Sequence, residues 1–200
     1  MAKDEFLDIP TQKIDKNNIM LEYNALRDEI LKRIELRQQI ISITLVLLTA
    51  ILSVTFAQEG LKENFSTLKI PSLAFIYPPI ATSLALGWIQ HEYRINLLGY
   101  YIHEHIEKSI PCLGWEKHVI INTSEGSKLK WYYILLSHGG VFIWTEIIAI
   151  IVGIFMFRNT SLESGFIALD ILSLLIIITV MFNLYIDTKN QKDRIIAEEK

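Results

Sequence analysis

The chain is poor in the features that mark soluble enzymes. It has one cysteine, Cys112, which excludes an internal disulfide and a thiolate metal cage. It has no strong charge of either sign: 19 Lys and Arg stand against 22 Asp and Glu, a net charge of −3. No basic block marks a nucleic-acid partner. No phosphate-cradling glycine loop, nucleophile elbow or paired-carboxylate hydrolase pattern is present. No enzymatic activity is expected, and no cofactor is implied. The first 39 residues are polar and charged, without the short apolar core and small-residue cleavage site of a signal peptide. The most telling absence is of Lys and Arg from four apolar runs, 40–57, 70–89, 132–157 and 165–186.

What fills those runs is 51% hydrophobic composition overall. A bilayer core about 30 Å thick takes roughly 20 apolar residues of helix to cross. The expectation is an all-α polytopic membrane protein with four transmembrane helices and helical cytoplasmic extensions. Lipid is then its solvent and first partner. The positive charges support the count. Seven Lys and Arg precede the first run, five lie between the second and third, and four follow the last. Only Lys62, Lys69 and Arg158 fall on the opposite side. Sixteen against three places the N- and C-termini in the cytoplasm of an inner membrane.

The chain divides accordingly. Residues 1–17 read as a flexible tail, with Asn17 or Asn18 as the cap of the helix that follows. Residues 18–108 read as a long helical hairpin containing the first two spans. Ile19, Tyr23, Leu26, Ile30 and Ile34 recur at steps of three and four, as one helix face does. Glu29 and Arg33 are set for an i,i+4 pair. His91, Ile95, Leu98, Ile102 and Ile106 repeat the pattern beyond span two, so the two extensions pack antiparallel. Pro78 and Pro79 fall inside span two and are expected to kink it near Phe75–Tyr77. Residues 109–130 read as a cytoplasmic loop with a short strand at 118–121. Residues 131–186 read as a second hairpin, and 187–200 as a cytoplasmic tail.

Three ionisable groups lie within the runs: His138 and Glu146 in the third, Asp170 in the fourth. With Thr145 they form the candidate intramembrane polar path, because charges at membrane depth face a bundle interior or a wet cavity. The small residues Gly139, Gly140, Ala149 and Gly153 share that face and suit close helix packing. The small face is expected to receive a second copy, giving a homo-oligomer. Two readings of Glu146 stand: an ion or proton path, or a buried carboxyl hydrogen-bonded to a neighbouring hydroxyl. Asp170 has the further reading of a helix-start carboxylate favoured by the dipole. The cluster His103-Glu104-His105-Ile106-Glu107 lacks the two-histidine spacing of a zincin and reads as a solvated helix face, so no metal is expected. Arg27, Arg33 and Arg94 are candidate docking residues for a cytosolic protein partner. Asn64 and Asn159 head glycosylation sequons.

Residues 22–27 (Glu-Tyr-Asn-Ala-Leu-Arg), 33–38 (Arg-Ile-Glu-Leu-Arg-Gln), 87–95 (Gly-Trp-Ile-Gln-His-Glu-Tyr-Arg-Ile) and 111–116 (Pro-Cys-Leu-Gly-Trp-Glu) resemble stretches of small bacterial multi-pass membrane proteins. The layout over about residues 18–118 resembles the SLATT class: a cytoplasmic helix, a membrane hairpin, a second cytoplasmic helix. That resemblance implies a membrane effector forming pores when a cytosolic sensor is triggered. This chain departs from the class by its second hairpin. Together these readings predict an oligomeric effector or channel-like subunit controlled through its cytoplasmic helices, with a membrane anchor or scaffold for a cytosolic protein as the alternative.

Overall fold

The computed structural model describes residues 16–60, 73–110, 113–116, 139–155 and 161–198. Among these no strand occurs. His138, Cys112, Asn64, Asn159, the strand expected at 118–121 and most of the 1–17 tail lie outside the described residues. Four helices carry the fold: α1 (Lys16–Gly60), α2 (Leu73–Tyr101), α3 (Gly140–Phe155) and α4 (Ser161–Glu198).

No proline interrupts α1, and its first glycine is its last residue, so 45 residues run as one helix about 68 Å long. Asn17 and Asn18 lie inside its first turn, so neither is the cap expected of them. In its apolar half the hydroxyls of Thr44, Thr49, Ser53 and Thr55 donate to carbonyls four residues back. That satisfies them without water. α2 continues unbroken through Pro78 and Pro79. The Ser83 hydroxyl donates to the Pro79 carbonyl at 3.0 Å, and the Thr82 hydroxyl oxygen lies 3.0 Å from the Pro78 carbonyl. α4 does not stop where the tail was expected at 187. Its alternating charges contain no Gly or Pro, and the helix carries on to Glu198.

α1 and α2 are antiparallel. Glu22 accepts from Tyr101 at 2.9 Å, Arg37 pairs with Glu92, and Tyr77 reaches the Thr44 carbonyl at 3.4 Å. The polar end of this hairpin is closed by Ile30, Ile102 and Ile106, with Tyr23, Leu26, Ile34, Ile95 and Leu98 around them. Each such side chain removed from water contributes roughly 1.5–3 kcal/mol. α2 is the central helix, packed on α1, α3 and α4. Two interior clusters follow along it: Ile41, Trp88, Phe142, Ile177 and Met181 in one, Leu48, Tyr77, Ala81 and Ala149 in the other.

Two helices are long and apolar enough to cross a membrane, over Lys16–Ala57 and Ser164–Asn190, and a shorter apolar helix spans Gly140–Phe155. Many large apolar side chains lie on the exterior while several polar ones are buried. Val46, Phe56, Trp144, Phe155, Leu172 and Leu175 are all exposed, whereas Thr44, Thr82, Thr145, Glu146, Asp170 and Ser173 are buried. An apolar exterior of this extent is unusual for a soluble monomer.

Candidate functional site

α2 ends in a π-helical turn, Ile102–Glu107. Its wider turn aims His103 and Glu107 inward beside Ile102 and Ile106, and all four are buried. This corrects the reading of His103 and Glu107 as a solvated face: that reading assumes α-helical spacing, and the turn here is π-helical. The His103 Nδ1 lies 3.3 Å from Glu107 Oε2. The other Glu107 oxygen accepts the Glu116 backbone N–H at 2.8 Å. The Glu116 carboxylate in turn accepts from Arg27 at 2.6 Å, and Arg27 lies 5.9 Å from the Trp115 ring. Gly99 leaves room for this: a Cβ there would sit 3.1 Å from Glu116 Oε2. The result is a clasp that ties residues 113–116 to both helices of the hairpin.

Burial pushes the Glu116 carboxyl above its usual value, against the pull of Arg27 and with the nearby Glu107 charge adding to the rise. A raised value means that the folded state favours the protonated form. The stabilisation is full below the usual 4.5 and is lost as pH rises through the raised value. Glu116→Gln is therefore expected to match or exceed the wild type in thermal stability at neutral pH. The advantage disappears below pH 4.5. Melting temperatures of both proteins across this range check it, and a wild type more stable at neutral pH than the variant would contradict it.

The second polar centre is inside the bundle. The Glu146 side chain, on α3, is fully buried and accepts from the Thr82 hydroxyl of α2 at 2.8 Å. Asp170, on α4, is fully buried as well and close enough for its charge to act on Glu146. Asp170 lies nine residues after the start of α4 at Ser161, so it is not in the dipole-favoured first turn. Glu146 Oε2 and both Asp170 carboxyl oxygens are buried without a hydrogen-bond partner among the described residues. The Tyr77 phenol lies beside Thr145 and Glu146 and also reaches α1 through the Thr44 carbonyl. Thr145 also donates to the Phe142 carbonyl at 3.0 Å. Thus all four helices contribute to one polar layer. Of the expected path, Glu146, Thr145 and Asp170 come together.

Comparison of the chain with protein-family models, with curated proteins and with solved structures finds no match.

The small residues Gly139, Gly140, Ala149 and Gly153 pack within the chain. Gly139 sits against Trp88 and Met181, each 3.4 Å from where its Cβ would be. The Phe75 ring occupies the space a side chain at Gly153 would need. Gly140 and Ala149 are buried too. The face is filled by α2 and α4 of the same chain. Two of the three docking arginines are engaged within the chain. Arg27 holds Glu116, Arg33 pairs with Glu29 one turn away, and Arg94 is exposed on α2.

Sequence reasoning missed Tyr77 and Thr82, which look like ordinary residues of an apolar run. Their signal was a tyrosine and a threonine flanking Pro78-Pro79, where carbonyls lose their helical donors and polar groups gather. It also missed Glu116, which had no helical periodicity to mark it.

Proposed function

We propose that this is a four-span inner-membrane protein, termini cytoplasmic, that conducts ions through its bundle interior under the control of the cytoplasmic hairpin. The observation that carries this reading is the Glu146–Asp170 pair. Two carboxyls sit at the depth of the apolar exterior with three of their four oxygens unpartnered among the described residues. A buried polar group without a partner costs about 1–3 kcal/mol in a protein, so a fold built only for stability would not retain three. Intramembrane carboxyls are functional by default.

The hairpin supplies the lever. Its clasp lies at the far end of α2, the same helix that donates Thr82 to Glu146 and packs on α1, α3 and α4. A shift of α2 at the clasp moves the partner of the interior carboxyl. This fits the layout shared with SLATT-type effectors, extended here by a second hairpin. The anchor reading gains nothing from Arg27 and Arg33, since both are satisfied within the chain.

The test is ion flux into liposomes containing the purified full chain. Wild-type protein is expected to dissipate an imposed membrane potential. Glu146→Gln and Asp170→Asn are each expected to abolish the flux while inserting normally. Flux of wild-type size in both variants would refute the path.

A further inference from the structure

The identity of the ion follows from what surrounds the two carboxyls. The segments packed around them, 40–57, 73–89, 140–155 and 161–186, contain no Lys, Arg or His. Among the described residues, the titratable groups near enough for charge to act between them and Glu146 are Tyr77 from α2 and Asp170 from α4. α1 brings only the Thr44 carbonyl to Tyr77. Among the described residues of these segments no cation offsets the pair. A bare metal cation of the Na⁺ or Ca²⁺ type needs a cage of several oxygens, six to eight for Ca²⁺. Among the described residues no group of three or more Asp, Glu, His or Cys is set to supply one. A proton needs one oxygen. Asp170 is fully buried, and among the described residues neither of its carboxyl oxygens has a hydrogen-bond partner. Hydroxyls at Thr82, Thr145 and Tyr77 border the pair, and hydroxyls both donate and accept.

We infer that Glu146 and Asp170 form a proton-binding site, and that the ion passed through the bundle is the proton. The inference rests on the conducting role proposed above for the same site. One proton on the pair leaves one negative charge between two carboxyls. Thr82 steadies the Glu146 carboxylate by its hydrogen bond. It is a positioning residue.

Infrared spectroscopy of the full chain in lipid nanodiscs tests proton occupancy without requiring that a gate be open. At neutral pH the wild type is expected to show a carboxylic-acid C=O band that shifts in D₂O. The band is lost in the Glu146→Gln/Asp170→Asn double variant. Thr82→Val is expected to move the band without removing it, which a purely structural threonine would not do. A wild-type spectrum with carboxylate bands alone, or an acid band untouched by the double variant, overturns the inference. Liposomes carrying an internal pH dye and tracer Rb⁺ separate the inference from the conducting role. Proton entry without Rb⁺ uptake supports both. Rb⁺ uptake without an acid band keeps the conducting role and overturns the proton site. An acid band with no movement of either ion keeps the proton site and overturns the conducting role.

Discussion

Gly153→Val is expected to unseat α3 from α2 and to lower the melting temperature of the detergent-purified protein more than any polar substitution in the bundle. A Cβ at residue 153 would overlap three atoms of the Phe75 ring. That ring is itself fully buried, so it has no empty space to swing into. Forcing extra carbon into a packed interior costs about 1–3 kcal/mol, and sometimes more. Here the whole ring must move, which places the effect at the upper end of that range. α3 also carries Glu146, two turns before Gly153. Displacing the helix separates Glu146 from Thr82, so flux should fall with stability. Shrinking the obstacle is the control: Phe75→Ala in the Gly153→Val background should recover part of the lost stability, although Phe75→Ala alone destabilises. Independent, additive losses in the double variant would show that the two residues do not share the space.

Trp88→Ala is the second large effect, expected to cost about 3–5 kcal/mol as a buried aromatic truncated to alanine. Its indole joins three helices. It packs on Gly139, tilts against Phe142 with ring centroids 6.1 Å apart, and carries the Arg37 guanidinium 5.5 Å from its centre. Arg37 in turn pairs with Glu92, so the residue stands where the apolar bundle meets the charged hairpin. Among the described residues the indole N–H has no hydrogen-bond partner. Trp88→Phe therefore removes ring area but no bond, and should retain most of the stability. Urea or thermal unfolding of the three proteins in one detergent checks the order wild type, Trp88→Phe, Trp88→Ala. Equal stability of the two variants would mean that the ring does not bear the packing.

The parts legible in the sequence were those governed by a single helix. The face Ile19, Tyr23, Leu26, Ile30 and Ile34 was visible as spacing, and it is the face that meets Ile95, Leu98, Ile102 and Ile106. The Glu29–Arg33 pair was visible for the same reason. Glu146 stood out because a carboxyl in an apolar run is rare. What could not be read was partnership between helices. Nothing in Thr82 announces Glu146, and nothing in Gly153 announces Phe75. Position along a helix misled in two places. Asp170 looked terminal because the apolar run begins at 165, yet the helix begins at Ser161. His103 and Glu107 looked solvated because periodicity assumes a constant turn, and at residue 102 the turn widens.

That widened turn has a consequence for how the chain tolerates insertion and deletion. A π turn carries an extra residue relative to the α-helical path, and each residue of an α-helix turns the chain by about 100°. Gaining or losing one residue between Tyr101 and Lys108 would swing His103 and Glu107 to a different side of the hairpin while leaving every side chain present. The clasp depends on Glu107 meeting the Glu116 amide at 2.8 Å. Phase, as much as chemistry, is what this stretch must preserve. A substitution that keeps the residue count disturbs it less than a one-residue indel that keeps every functional group.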